Sequence, residues 1–125
     1  MDDKKKVLIV DDEELAQDFL RFFLSKKYDV YTAGSVNSFY NTINNVKFDL
    51  ILMDVSLRDS KDGIQLTKEL KSNSYYKNVP IFVLTAFSTT KERKAAEEAG
   101  ADKFLIKPVD QNVLIKYIDE ALLLK

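Results

Sequence analysis

The run Leu50-Ile51-Leu52-Met53, closed by Asp49 before it and Asp54 after it, constrains the fold of this chain more than any other stretch. So short an apolar run is too brief for a helix and long enough for a strand covered on both faces. It predicts a central strand of a parallel sheet. Asp49 leads into that strand and Asp54 leaves it. In open α/β sheets, ligands gather in the crevice beyond the carboxyl ends of the strands. Asp54 is therefore placed for chemistry, and Asp49 reads as a loop carboxylate.

The rest of the chain repeats the pattern. Val7-Leu8-Ile9-Val10 is a second buried-strand run that stops at Asp11-Asp12. A helix is expected from about Glu14 to Lys26, with Leu15, Phe19, Phe22 and Phe23 close together on a helical period and Leu20 and Leu24 widening the apolar arc. Asp29 to Ala33 alternates like a half-exposed edge strand, and a weaker helix spans Val36 to Asn44. After the polar residues Arg58 to Lys61 a helix is expected from about Asp62 to Ser72, then a turn-rich connection to Asn78. Ile81 to Leu84 is the fourth strand. Thr89 with Glu92 forms a capping-box pattern for a helix that stops at Gly100. Phe104-Leu105-Ile106 is the fifth strand, and the last helix runs from about Asp110 to Leu124. Strand-then-helix units in series mean an α/β doubly wound parallel sheet with helices on both faces. We expect one domain over residues 1–125, its core at about 6–124.

Composition removes several kinds of chemistry. The chain has no cysteine and no histidine, which excludes thiol catalysis, disulfides, an imidazole base and most zinc sites. Its net charge of −1 offers no basic field for nucleic acid. No apolar run approaches a membrane span, and a cytoplasmic setting is expected.

Four strand runs end in a residue with useful chemistry: Asp11-Asp12, Asp54, Thr85 and Lys107. A parallel sheet brings all of these ends to one rim. Taken singly, each has an ordinary explanation as a turn, a cap or a surface residue. Together they crowd like charges, an arrangement that calls for protons or a cation. Oxygen ligands without histidine or cysteine point to Mg²⁺, or Mn²⁺, kept partly hydrated and able to take a phosphoryl oxygen. Thr85 and Lys107 supply a hydroxyl donor and a positive charge for the same phosphoryl group.

The chain resembles the receiver (response regulator) domains of two-component phosphorelay signalling, in particular chemotaxis-regulator-like ones. The matching pieces are Val-Leu-Ile-Val-Asp-Asp-Glu at 7–13, Asp-Leu-Ile-Leu-Met-Asp at 49–54, Asp-Gly at 62–63, Leu-Thr-Ala at 84–86 and Gly-Ala-Asp-Lys-Phe-Leu-Ile-Lys-Pro at 100–108. The resemblance implies a flavodoxin-like (βα)5 fold with strand order 2-1-3-4-5. It implies Asp54 as phosphoacceptor, Asp11 and Asp12 as Mg²⁺ holders with the backbone carbonyl of Ser56 as a further ligand, and Thr85 and Lys107 as the phosphoryl-sensing pair. It also implies a cis peptide at Lys107-Pro108, and Phe104 as an aromatic switch that rotates when Thr85 shifts. Ala86 is small enough to leave the phosphoryl group room. The donor would be a phosphohistidine on a histidine kinase or histidine phosphotransfer protein. The readout would be the surface of the fourth helix, fifth strand and fifth helix, toward a target the sequence does not name.

Two departures from the family pattern stand out. The loop Ser56 to Lys61 lacks the common proline and is one residue longer than usual, and Phe104 lacks the hydroxyl of the common tyrosine. Bulky Phe87 is expected to slow autodephosphorylation. The rival readings are a receiver-shaped binding module that is never phosphorylated and a Mg²⁺-dependent aspartyl-phosphate phosphohydrolase. The second needs an acid two residues after its nucleophile, where this chain has Ser56. The default reading of the first-helix arc is core filling. The alternative is a docking patch of Leu15, Phe19, Leu20 and Pro108 for a partner's helical bundle. Homodimerisation on activation through the last helix stays open, as does whether an output domain follows Lys125.

Overall fold

A computed structural model describes residues 4–86 and 89–123. Five strands, β1 (Lys6–Val10), β2 (Asp29–Ala33), β3 (Leu50–Asp54), β4 (Ile81–Thr85) and β5 (Lys103–Ile106), form one sheet in the order β2-β1-β3-β4-β5. All neighbours are parallel. The helices between and after them are α1 (Glu14–Leu24), α2 (Val36–Asn45), α3 (Gly63–Lys71), α4 (Thr90–Glu98) and α5 (Gln111–Leu123). This is the flavodoxin-like fold and strand order that the family resemblance implied. A 3₁₀ turn at Tyr76–Asn78, unmarked in the sequence reading, buries Tyr76, whose hydroxyl accepts from the Phe48 N–H at 3.1 Å.

Strand alternation sorts the core into two layers. Leu8, Val10, Ile51, Met53, Ile81 and Val83 pack with Phe39, Leu66, Leu70 and Ala96 of α2, α3 and α4. Val7, Ile9, Leu50, Leu52, Phe82 and Leu84 pack with Leu24, Leu114 and Ile118 of α1 and α5. Central strands β3 and β4 are buried on both faces, whereas edge strand β2 is only partly covered.

Helices α3, α4 and α5 start on side-chain caps. Asp62 and Gln65 form a complete capping box on α3, and Thr89 accepts from the Glu92 N–H at the start of α4. Asp110 accepts from the N–H groups of Asn112 and Val113 ahead of α5. The chain leaves α4 through Ala99 and Gly100, whose φ of 97° lies where a side chain is strained.

One expectation is overturned. The apolar arc of α1 does not fill the sheet face as a whole: Leu24 is buried and Leu20 packs partly against the core, while Leu15, Phe19 and Phe22 are 84%, 56% and 66% exposed. At 100° per residue, Leu15, Phe19 and Phe22 form a stripe opposite the side carrying Leu20 and Leu24. The helix has two apolar faces, and the sheet covers only one.

Candidate functional site

The carboxyl ends of β1, β3, β4 and β5 meet at one rim, as their registers require. Asp54, the last residue of β3, is buried, and its Oδ1 accepts from the Ser56 N–H at 3.1 Å. Asp11 follows β1 and is also buried. Its Oδ1 accepts from the Glu13 N–H at 2.9 Å, and Gln17 of α1 donates to its carbonyl. Lys107 Nζ bridges the two acids, 3.0 Å from Asp11 Oδ2 and 3.3 Å from Asp54 Oδ2. Asp12 completes the group: one carboxylate oxygen from each of Asp11, Asp12 and Asp54 lies within 4.8 Å of the others.

The electrostatics follow from that crowding. Burial pushes the Asp54 carboxyl up from its usual range and the charge of Asp11 pushes it further, against the pull of Lys107 and of the Ser56 N–H. Burial alone would lower the Lys107 ammonium, but the bond to Asp11 and the charge of Asp54 outweigh it and hold it above its usual value. Asp12 is held below the carboxylate range because hydrogen bonds from Arg58 overcome its desolvation. Lys107 serves Asp11 and Asp54 while Arg58 serves Asp12, and this donor set of hard oxygens fits a divalent ion such as Mg²⁺.

The other sequence-chosen residues fall around this group. Thr85 is fully buried at the end of β4, and its carbonyl accepts from the Lys107 N–H at 2.7 Å. Ser56 and Ala86 line a cleft of roughly 270 Å³ together with Asp12, Asp54, Arg58 and Lys107. Phe104 is half-buried one strand away, with the Arg93 guanidinium 4.8 Å from its ring centre. Lys107-Pro108 is a cis peptide. Phe19, Leu20 and Pro108 line an adjoining cleft of roughly 220 Å³ between α1 and the Lys107–Val109 segment. Leu15 stands on the outer face of α1, beyond that cleft. Phe87 lies outside the described residues.

The roles of three residues were not read from the sequence, although Gly63 stood in the Asp-Gly piece of the resemblance. Gly63 starts α3 so close to β3 that a Cβ would sit 2.0 Å from the Asp54 carbonyl oxygen, which is why the Asp-Gly pair at 62–63 tolerates no side chain there. Asp59 Oδ2 accepts from the Val36 N–H at 2.9 Å and ties the long loop to α2. Arg58, in that loop, contacts Asp12 through both its backbone N–H and its Nε, each 3.1 Å from Oδ2. The one available signal was a basic residue in the loop directly after β3. A larger cleft of roughly 660 Å³ opens at the opposite rim, where Lys103 lies over the Tyr117 ring, away from the carboxylates.

The comparisons with known proteins agree with this geometry. The family model of the response regulator receiver domain matches residues 7–119. Among solved structures, a CheY-like response regulator receiver domain protein from Methanospirillum hungatei is 27% identical, with a TM-score of 0.88 over 95% of this chain and 94% of that one. The Vibrio cholerae chemotaxis protein CheY4 is 28% identical, with a TM-score of 0.88 over 95% and 99%. The response regulator DrrB of Thermotoga maritima, an OmpR/PhoB homologue, shares the fold at 23% identity and a TM-score of 0.84, over 95% of this chain and 52% of that one. With the site's acids and lysine at the rim where the fold puts them, the chain belongs to the response regulator receiver domain family of two-component signalling.

Proposed function

We propose that this domain is a phosphoacceptor switch: Asp54 takes a phosphoryl group from a phosphohistidine on a histidine kinase or histidine phosphotransfer protein. The observation that carries the reading is the convergence of Asp11, Asp12 and Asp54 within 4.8 Å, with Lys107 bridging two of them. An Asp54 carboxylate oxygen would attack phosphorus in line, forming the O–P bond as the P–N bond breaks and the imidazole leaves. Asp11, Asp12, Asp54 and the Ser56 carbonyl would hold Mg²⁺, which neutralises charge on the transferring group. Lys107 stays beside Asp54 and stabilises the same charge. The chain has no histidine, so the donor histidine lies on another protein or domain.

Once on Asp54, the phosphoryl group offers oxygens to the Thr85 hydroxyl and the Lys107 ammonium. Phe104, one strand over, would repack as Thr85 moves, carrying the change to the α4–β5–α5 surface. This is a switch rather than a turnover enzyme, and it would operate in the cytoplasm, where such kinases transfer phosphoryl groups. No described helix is long and apolar enough to cross a membrane.

Beryllofluoride with Mg²⁺, a mimic of the acyl phosphate, tests the reading. A ligand held at 100 times its Kd should raise stability by about 2.7 kcal/mol, seen as a higher melting temperature that Asp54→Asn abolishes. An unchanged melting temperature in both proteins would favour a receiver-shaped module that is never phosphorylated.

A further inference from the structure

The loop after β3 already places a cation on one of the proposed metal ligands. Arg58 gives the Oδ2 of Asp12 two bonds, from its backbone N–H and from its Nε, each 3.1 Å long. Lys107 is committed elsewhere, divided between Asp11 and Asp54. The acidic group is thus balanced by two internal cations, and Arg58 is the one that serves Asp12. Its side chain is 80% exposed, against 17% for Asp12, so it can swing into water while the carboxylate stays in place. A guanidinium cannot neutralise itself by losing a proton. A divalent ion on Asp12 therefore meets a fixed positive charge, and like charges at this range repel even in a well-hydrated setting.

We infer that Arg58 is a metal-displaced latch: it occupies Asp12 in the metal-free protein, competes with the divalent cation for that carboxylate, and leaves when the cation binds. The backbone N–H of the same residue is on the same oxygen, so displacement at Asp12 also loosens the loop at Arg58, while Asp59 keeps its anchor on α2. Metal binding then reports on, and remodels, the cleft edge beside Asp54. Arg58 acts here as a positioning residue. The inference rests on the metal reading of Asp11, Asp12 and Asp54.

An exposed ion pair of this kind changes a competing equilibrium by about two- to fivefold. Free Mn²⁺ measured by electron paramagnetic resonance gives the affinity directly, with Mg²⁺ competition giving that of Mg²⁺. Arg58→Ala should bind Mn²⁺ about two- to fivefold more tightly than wild type, and the gap should narrow as salt screens the pair. Arg58→Gln repeats the comparison with a neutral polar side chain and the stem kept to Cδ, should the alanine variant melt early. In wild type, saturating Mg²⁺ should move the Arg58 Nε–H resonance to that of a solvated guanidinium. Equal or weaker Mn²⁺ binding by both variants, or an Nε–H resonance that ignores Mg²⁺, overturns the latch and leaves the metal reading standing. No Mn²⁺ binding by wild type or variants at millimolar metal overturns both.

Discussion

Asp54 draws its character from its neighbours. Burial and the charge of Asp11 raise its carboxyl, and Lys107 is the main charge opposing them. Lys107→Ala should therefore cost about 1–3 kcal/mol at neutral pH, the penalty of leaving buried acids without their partner. The sign with pH follows from linkage: a carboxyl raised in the folded state destabilises only where it is ionised. The cost should be absent below the unfolded value, 3.8, and should grow as pH rises through the raised folded value. Urea unfolding of the variant and wild type at pH 7 and near pH 4 checks this. Gly63 is equally determined, since a Cβ there would meet the Asp54 carbonyl oxygen at 2.0 Å. The nearest atoms it meets, the Asp54 carbonyl oxygen and carbon, are backbone, so Gly63→Ala must move either α3 or β3. We expect a loss of about 1–3 kcal/mol by denaturant unfolding and weaker beryllofluoride binding. Ser60→Ala, in the exposed loop ahead of α3, should leave both nearly unchanged.

At the scale of elements, β1, β3 and β4 lie within a residue or so of their apolar runs, because a run buried on both faces has little freedom in where it starts and stops. Asp49 proved more than a loop carboxylate. Its Oδ2 accepts from the Lys6 N–H at 2.8 Å while its own N–H donates to the Lys6 carbonyl. Asp102 closes the start of β4 in the same way on Ile81. Such reciprocal pairing depends on strand neighbours and is invisible along the chain. Helix α1 was legible as a helix but not in its orientation, since two apolar stripes satisfy the same periodicity and the sheet selects Leu20 and Leu24. On the proposed function, the exposed stripe is where the partner that carries the histidine would dock. Leu15→Lys with Phe19→Lys should slow phosphotransfer from a cognate histidine partner at least tenfold, by about 1.4 kcal/mol or more. Phosphorylation by a small-molecule donor and the melting temperature should stay near wild type. Leu24→Lys is unsuitable for the purpose, because Leu24 is 1% exposed and the change would test the core instead.

For the whole molecule, the site exists only because the sheet is parallel. Residues 11, 54, 85 and 107 are far apart in sequence, and the common direction of β1, β3, β4 and β5 carries them to one rim. That is why the acids, the threonine and the lysine are legible in the sequence as strand-end positions. Loop-borne contributors were not: Arg58 reaches Asp12, and Asp59 reaches α2, through a backbone path that no periodicity encodes. The central claim is that this assembly delivers a phosphoryl group to Asp54. Intact-mass spectrometry after incubation with acetyl phosphate and Mg²⁺ tests it most directly, with borohydride reduction to locate the acyl phosphate. The account predicts a mass gain of one phosphoryl group, mapped to Asp54, lost in Asp54→Asn and suppressed by chelating the metal. An unmodified mass under those conditions, or a phosphoryl group that persists in Asp54→Asn, would contradict it.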